Sequence, residues 1–320
     1  MTSYWLPAAA IALSSFAIVA TAGSMLMSLA APALSRRVER YAPASRAALL
    51  FRLRVLPAGC AAVCALGVTL PIYLWFEPRD DSGEAFARTL MVAAVAGGLL
   101  LARGAWRAAA AWRATGALRR EWQARGRRLQ AFDAPMPAFG IEESFPMVAV
   151  VGFWRPALFI AERVLAECSA DEIRAMVLHE CAHVTHCDNL KRLLIRACPD
   201  ALGQGVALDR AWTKAAEEAA DARAAGADPG FALELAQALI HVARLAPGAS
   251  TLQVASAFYL GGSIESRVRQ LVEPADTLPD PSRPLGCVVA CTMVCALAGV
   301  IVLAAPSIHQ FMEMAVRSLP

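Results

Sequence analysis

Charge is missing from four stretches of this chain, and that limits its fold more than any other feature. No Asp, Glu, Lys or Arg occurs from Met1 to Ser35, between Arg54 and Glu77, between Arg88 and Arg103, or between Arg283 and Glu313. An uncharged apolar run of about 18 residues or more can cross a bilayer as a helix. The runs predict spans near 6–30, 55–76, 87–103 and 285–306. The third has the shortest uncharged core and needs Arg88 to snorkel toward the headgroups. The whole chain is 58% hydrophobic and 18% charged, which is apolar for a soluble domain. The first run reads as an anchor rather than a cleaved leader, because nothing basic precedes it and Arg36 follows it.

The connecting segments predict one orientation. Residues 35–54 carry six arginines and one glutamate, and the stretch from Arg103 to Arg128 is basic again. Between them, "EPRDDSGEAFAR" (77–88) is net acidic. Arg and Lys accumulate on the cytoplasmic side of spans. The two basic segments and a block covering 105–284 are therefore expected inside, with the acidic loop and the tail after span four outside. Trp106, Trp112 and Trp122 alternate with arginines where the chain leaves span three. Such a composition suits nucleic acid, but its position suits a helix resting on anionic headgroups. A lipid bilayer is the expected partner here, and no direct nucleic-acid partner is expected.

The nine cysteines include Cys60 and Cys64 in span two and Cys287, Cys291 and Cys295 at four-residue spacing in span four. Small apolar residues at that spacing read as helix packing. Nothing in their pattern resembles a small disulfide scaffold.

Chemistry concentrates in "LHECAHVTHCDN" (178–189), which holds three of the five histidines. Upstream, residues 146–151 and 157–161 are β-rich and flank "GFWRP", predicting a hairpin-like pair of strands. From Leu165 to Pro199 the sequence predicts helix. Ser169 is the expected N-cap, with Glu172 three residues on as in a capping box. On a helix, His179 and His183 share a face about one turn apart. Two imidazoles so placed can take two corners of a zinc tetrahedron, with Glu180 beside them as a base.

A third ligand is available from "EEAAD" on a second alanine-rich segment. Glu217 can close a His2Glu set, and Asp221, one turn later, can accept from a ligand imidazole. A helix reversal in "PDALGQG" would let the two helices pack antiparallel. The same acidic residues could instead form a solvated face, but the nearby histidines favour the metal. His186, seven residues beyond His179, lies on the same face and offers an alternative ligand. Its two-turn reach favours a surface or gating role. His241 and His309 are isolated.

"GFWRPALFIAERVL", "SADEIRAMVLHECAHVTHCDN", "EEAAD" and "SIESRVRQL" follow one another as in the BlaR/MecR-type integral-membrane zinc metallopeptidases. They also resemble the related HtpX-type and CAAX-prenyl-protease-type enzymes. The resemblance covers roughly residues 144 to 272, with three spans before it and one after. It implies a mainly α, four-span membrane protein. Residues 1–104 would form three helices and loops, and 105–284 a gluzincin-like α+β zinc metallopeptidase domain. Residues 285–320 would form the fourth helix and a short external tail. It implies His179, His183 and Glu217 as Zn2+ ligands, Glu180 as catalytic base and Asp221 next to the ligands. Asp188 and Arg267 match family positions read as structural. The sensors of this family carry a large extracellular penicillin-binding domain after the last span. This chain ends a few residues after its own, so direct β-lactam sensing is not expected. The stretch from Pro199 to Trp212 also lacks the aromatic-proline signature of close relatives.

The expected activity is therefore a membrane-bound, zinc-dependent endopeptidase of the bacterial inner membrane with its catalytic domain in the cytoplasm. Its expected substrate is a cytosolic or membrane-proximal protein or peptide, for example a transcriptional repressor or regulator. A quality-control protease for membrane proteins is one alternative. A non-proteolytic scaffold or receptor with a structural zinc site is another. The strand near 146–151 could pair with an extended substrate. Tyr259 and Arg267 are the candidates for an oxyanion or substrate contact.

Overall fold

The computed structural model describes residues 2–76, 88–130, 134–200, 205–226, 229–245 and 264–273. The expected fourth span, most of the acidic loop, Tyr259, His309 and the cysteines at 287, 291 and 295 lie outside the described residues.

The chain is mainly helical, and three of its helices are long and apolar enough to cross a membrane. Helix α1 (Thr2–Val38) is the first. Helix α2 (Pro43–Ala62) runs through a π-helical segment (Val63–Thr69) into α3 (Leu70–Phe76), making one continuous second span. Helix α4 (Arg88–Arg125) is the third, and it continues far past its apolar part. The helices approach closely where side chains are small. A Cβ on Gly97 of α4 would run into the Leu13 carbonyl of α1, and Ser14 Oγ donates to Leu90 O across the same contact at 3.0 Å. Close backbone approach of this kind packs helices where no hydrophobic effect acts between them. Their outward faces carry exposed Leu26, Leu29, Val92 and Leu99, with Trp5 and Trp75 exposed near one end.

Beyond the spans lies a four-stranded sheet of order β1-β2-β4-β3. Its strands are β1 (Arg127–Leu129), β2 (Ala138–Ile141), β3 (Val148–Val151) and β4 (Ala157–Ala161). Strands β3 and β4 form the antiparallel pair that the sequence suggested. The parallel pairing of β2 with β4 had no local signal. All five residues of β4 are fully buried, as a run of apolar residues at the centre of a sheet should be. Gly152 opens the β3–β4 turn at φ +125°, where a Cβ would also press on Arg155 and Pro156; only glycine adopts this conformation without strain.

The expected unbroken helix from Leu165 to Pro199 is three helices. They are α5 (Glu162–Glu167), α6 (Ala170–Thr185) and α7 (Asp188–Ala197). The capping box at Ser169 is made, with Glu172 N donating to Ser169 Oγ at 3.2 Å and Ser169 N to Glu172 Oε2 at 2.7 Å. The break at the other end comes from Cys187, which sits in the left-handed region at φ 55°. Helix propensity alone does not encode that kink. The site beside it does, because the kink turns Asp188 back onto His183.

Helices α8 (Val206–Ala225), α9 (Pro229–Leu245) and α10 (Ile264–Val272) complete the described chain. The back of α8 is packed by the turns of α2 that carry Arg46 and Arg54. Arg54 Nε donates to Asp209 Oδ1 at 2.6 Å, and Arg46 pairs with Glu218. Trp212 is buried there among Leu50, Ala47 and Val38. Two arginines of α2 therefore brace α8. Two of the three tryptophans expected near headgroups also make aromatic contacts within the fold, though Trp112 stays 45% exposed. Trp112 stacks on Phe153 at 5.4 Å, and Trp122 packs edge-on to Phe159 while donating to Glu143. Trp106 is the most exposed of the three, at 66%.

Candidate metal centre

Helices α6 and α8 pass each other in opposite directions, so His179 meets Asp221 and His183 meets Glu217. The two Nε2 atoms are 3.2 Å apart, and Glu217 Oε2 lies 3.5 Å from the first and 3.6 Å from the second. Zinc–ligand bonds of 2.0–2.2 Å in a tetrahedron place ligand atoms roughly 3.3–3.6 Å apart. The two separations to Glu217 match that edge, and the 3.2 Å between the Nε2 atoms is just short of it. His186 is not among the converging donors; it is the C-cap of α6 and half-buried.

The carboxylates around the histidines make the same demand. His183 Nδ1 lies 2.8 Å from Asp188 Oδ2, and His179 Nδ1 lies 2.9 Å from Asp221 Oδ1, in a bent contact. A carboxylate at Nδ1 holds a proton there, which leaves Nε2 as a bare lone pair in the neutral ring. Two lone pairs and a carboxylate oxygen then face one point, buried and mutually repulsive. A cation resolves that arrangement, and nitrogen and oxygen donors in this geometry suit zinc. Without a cation, protons take its place. Burial pulls His183 down, but Asp188 and Glu217 raise it to about 10. His179 is likewise raised, against burial, chiefly by Asp221. Burial pushes Glu217 up, yet the two histidines hold it well below the usual carboxylate range.

Outer contacts fix each donor. Asp188 is also held by Lys191 at 3.1 Å. Arg267 reaches Asp221 through Nε at 2.7 Å and Nη2 at 2.6 Å, and its Nη1 is 3.6 Å from Glu217 Oε2. Its guanidinium thus braces the acidic pair, and Arg267 also lines the cavity beside the site. Arg192 Nη2 donates to Glu217 Oε1 at 3.1 Å, leaving Oε2 toward the histidines. No spacing rule in the sequence connects Arg192 to Glu217. Glu217, Glu218 and Asp221 are all buried, so "EEAAD" is not a solvated face.

Glu180 stands beside the donors and lines a cavity of about 500 Å³. Its Oε2 accepts from Val150 N, on edge strand β3, at 3.0 Å. Asn189 Nδ2 donates to Val150 O at 3.2 Å and Gly152 O at 3.1 Å. Neither contact was legible in the sequence. The cavity runs between β3, α9 and the alanine-lined face of α4 at Ala111, Ala114 and Leu118.

A second group, Cys168, Glu172 and His241, also brings three donor atoms together. Glu172 is already committed to the α6 cap and to His241. Burial, with Glu172 and Glu167 nearby, pushes the Cys168 thiol up to about 11 and keeps it protonated. The group serves as a helix cap. Comparison with known families, with curated proteins and with solved structures finds no match to this chain.

Proposed function

We propose that this chain is an integral-membrane, zinc-dependent endopeptidase that cuts a cytosolic or membrane-proximal protein. Its bilayer would be the bacterial inner membrane, with the metal centre on the cytoplasmic side, by the positive-inside argument. A transcriptional repressor or regulator is one such substrate. The observation that carries the reading is a buried three-donor set with a carboxylate, Glu180, at the wall of a cavity beside edge strand β3.

His179, His183 and Glu217 would hold the ion. When bound, zinc polarises a carbonyl and lowers the pKa of a water to about 7. Every other task falls to the chain's own groups. Asp188 and Asp221 keep the imidazole protons on Nδ1, so that Nε2 is free to ligate. Arg192 and Arg267 orient Glu217 and offset its charge. Glu180 takes a proton from the attacking water and passes it to the leaving amine. The Val150 N–H holds one Glu180 oxygen in place for that transfer.

The strand edge supports a polypeptide as substrate. Ala161 N donates to Met147 O, so in the antiparallel ladder the peptide groups of Val148 and Val150 turn away from β4. Glu180 and Asn189 already hold the groups of Val150, so an extended chain would pair at Val148. A membrane scaffold with structural zinc would need neither Glu180 nor the cavity. The test is Glu180→Gln, a near-isosteric change outside the ligand set. One zinc per chain should remain, while cleavage falls by at least ~10²-fold. Undiminished cleavage would assign the activity elsewhere.

A further inference from the structure

Three helices measure the height of the metal donors above the bilayer. The uncharged run of span two begins after Arg54, and that of span three ends at Arg103, with exposed Trp106 one turn on as an interfacial aromatic. Arg54 is bonded to Asp209 near the start of α8, and Glu217 lies eight residues further along, about 12 Å at the helical rise. Back along α2, Arg46 is eight residues from Arg54, again about 12 Å, and it pairs with Glu218. On α7, Ala197 touches Gly104 of α4, and Asp188, which holds His183, is nine residues away, about 14 Å. A typical span tilt of about 20° shortens these lengths by less than about a tenth. The α4 residues lining the cavity run from Ala111 to Trp122, about 12 to 28 Å beyond Arg103. The donors therefore sit at the membrane-near end of a cleft that extends away from the bilayer.

The gap between bilayer and donors is cationic. Arg196, exposed on α7, lines the cavity there; its neighbour Arg192 is paired with Glu217. Ordinary membrane proteins carry Lys and Arg beside their cytoplasmic span ends, and this gap repels them.

Resting on the peptidase reading, we infer that the substrate is a protein anchored in the same bilayer, cut in its cytosolic linker about four residues from the membrane. That count is the 12–14 Å gap at about 3.3 Å per extended residue. The linker of that substrate carries acidic residues. The bond cut lies outside the hydrocarbon, and bulk membrane proteins are excluded by charge.

The test uses the full chain, zinc-loaded, in liposomes. The probe is a synthetic single-span helix followed by a repeating Ala-Phe-Leu-Ser segment, so that sequence sets no register. Mass spectrometry should place the first cut about four residues from the anchor, and the cut should move with the anchor when the span is shifted. Asp in the first four linker residues should raise the rate about fivefold or more over Lys, and Arg196→Glu should reverse that order. Cuts scattered without regard to the anchor, cuts within the span, or indifference to linker charge would overturn the inference while leaving a peptidase. Zinc-loaded protein that cuts neither these probes nor a soluble unfolded protein overturns both. A fluorophore on Cys187, the exposed thiol next to Asp188, checks height without activity. Quenching should come from headgroup-labelled lipid and not from acyl-chain-labelled lipid, and the opposite result rejects the height.

Discussion

Arg267 grips Asp221 with two hydrogen bonds of 2.7 and 2.6 Å, both groups buried, and the same carboxylate faces His179 Nδ1 at 2.9 Å. The guanidinium on α10 thus orients a ring on α6 through a carboxylate on α8. Arg267→Ala strands a buried charge, which typically costs about 3–5 kcal/mol, so thermal unfolding should show a severe loss or no folded protein. Arg267→Lys keeps the charge but loses the fork. That variant should fold and bind zinc roughly 10–100-fold more weakly in chelator competition.

Elemental analysis should give one zinc per chain. Glu217→Ala should lose it, and His186→Ala should keep it, because His186 lies outside the converging donors. The reverse pattern would replace Glu217 by His186 in the ligand set.

The metal-free protein should lose stability with rising pH. His183 goes from an ordinary value of 6.5 to about 10 in the fold. A raised pKa means that the protonated ring is favoured by folding. The contribution is complete below 6.5 and disappears as pH climbs to about 10. Zinc displaces that proton, so the loaded protein should lack this slope. Zinc titration in weakly buffered solution at pH 8 should release protons.

Trp212 is buried between α8 and α2, and Arg192 lies over its ring at 5.9 Å. Trp212→Ala should cost about 3–5 kcal/mol in denaturant unfolding. Trp212→Phe should cost much less, since the indole N–H has no hydrogen-bond partner to lose.

Reporter fusions test the orientation. A fusion after Gly126 should read as cytoplasmic, and one at Ser82, between spans two and three, as external. An external reading at Gly126 would put the metal centre on the other side of the bilayer.

The sequence by itself determined whatever depends on near neighbours along the chain. Charge-free runs set the three described spans, alternation and turn residues set the β3–β4 pair, and Ser169 with Glu172 set the start of α6. The four-residue spacing of His179 and His183 put both rings on one face of that helix. Tertiary structure decided which groups surround those rings. Asp188 reaches His183 only because Cys187 takes a left-handed conformation, and the helix propensity of the surrounding residues predicts the opposite. Arg192, Arg267 and the Val150 N–H enter through contacts 25, 46 and 30 residues apart in the chain. No periodicity encodes such contacts. They form because a buried carboxylate must find a partner, and only the packing of α2, α8, α10 and the sheet edge determines which partner is within reach.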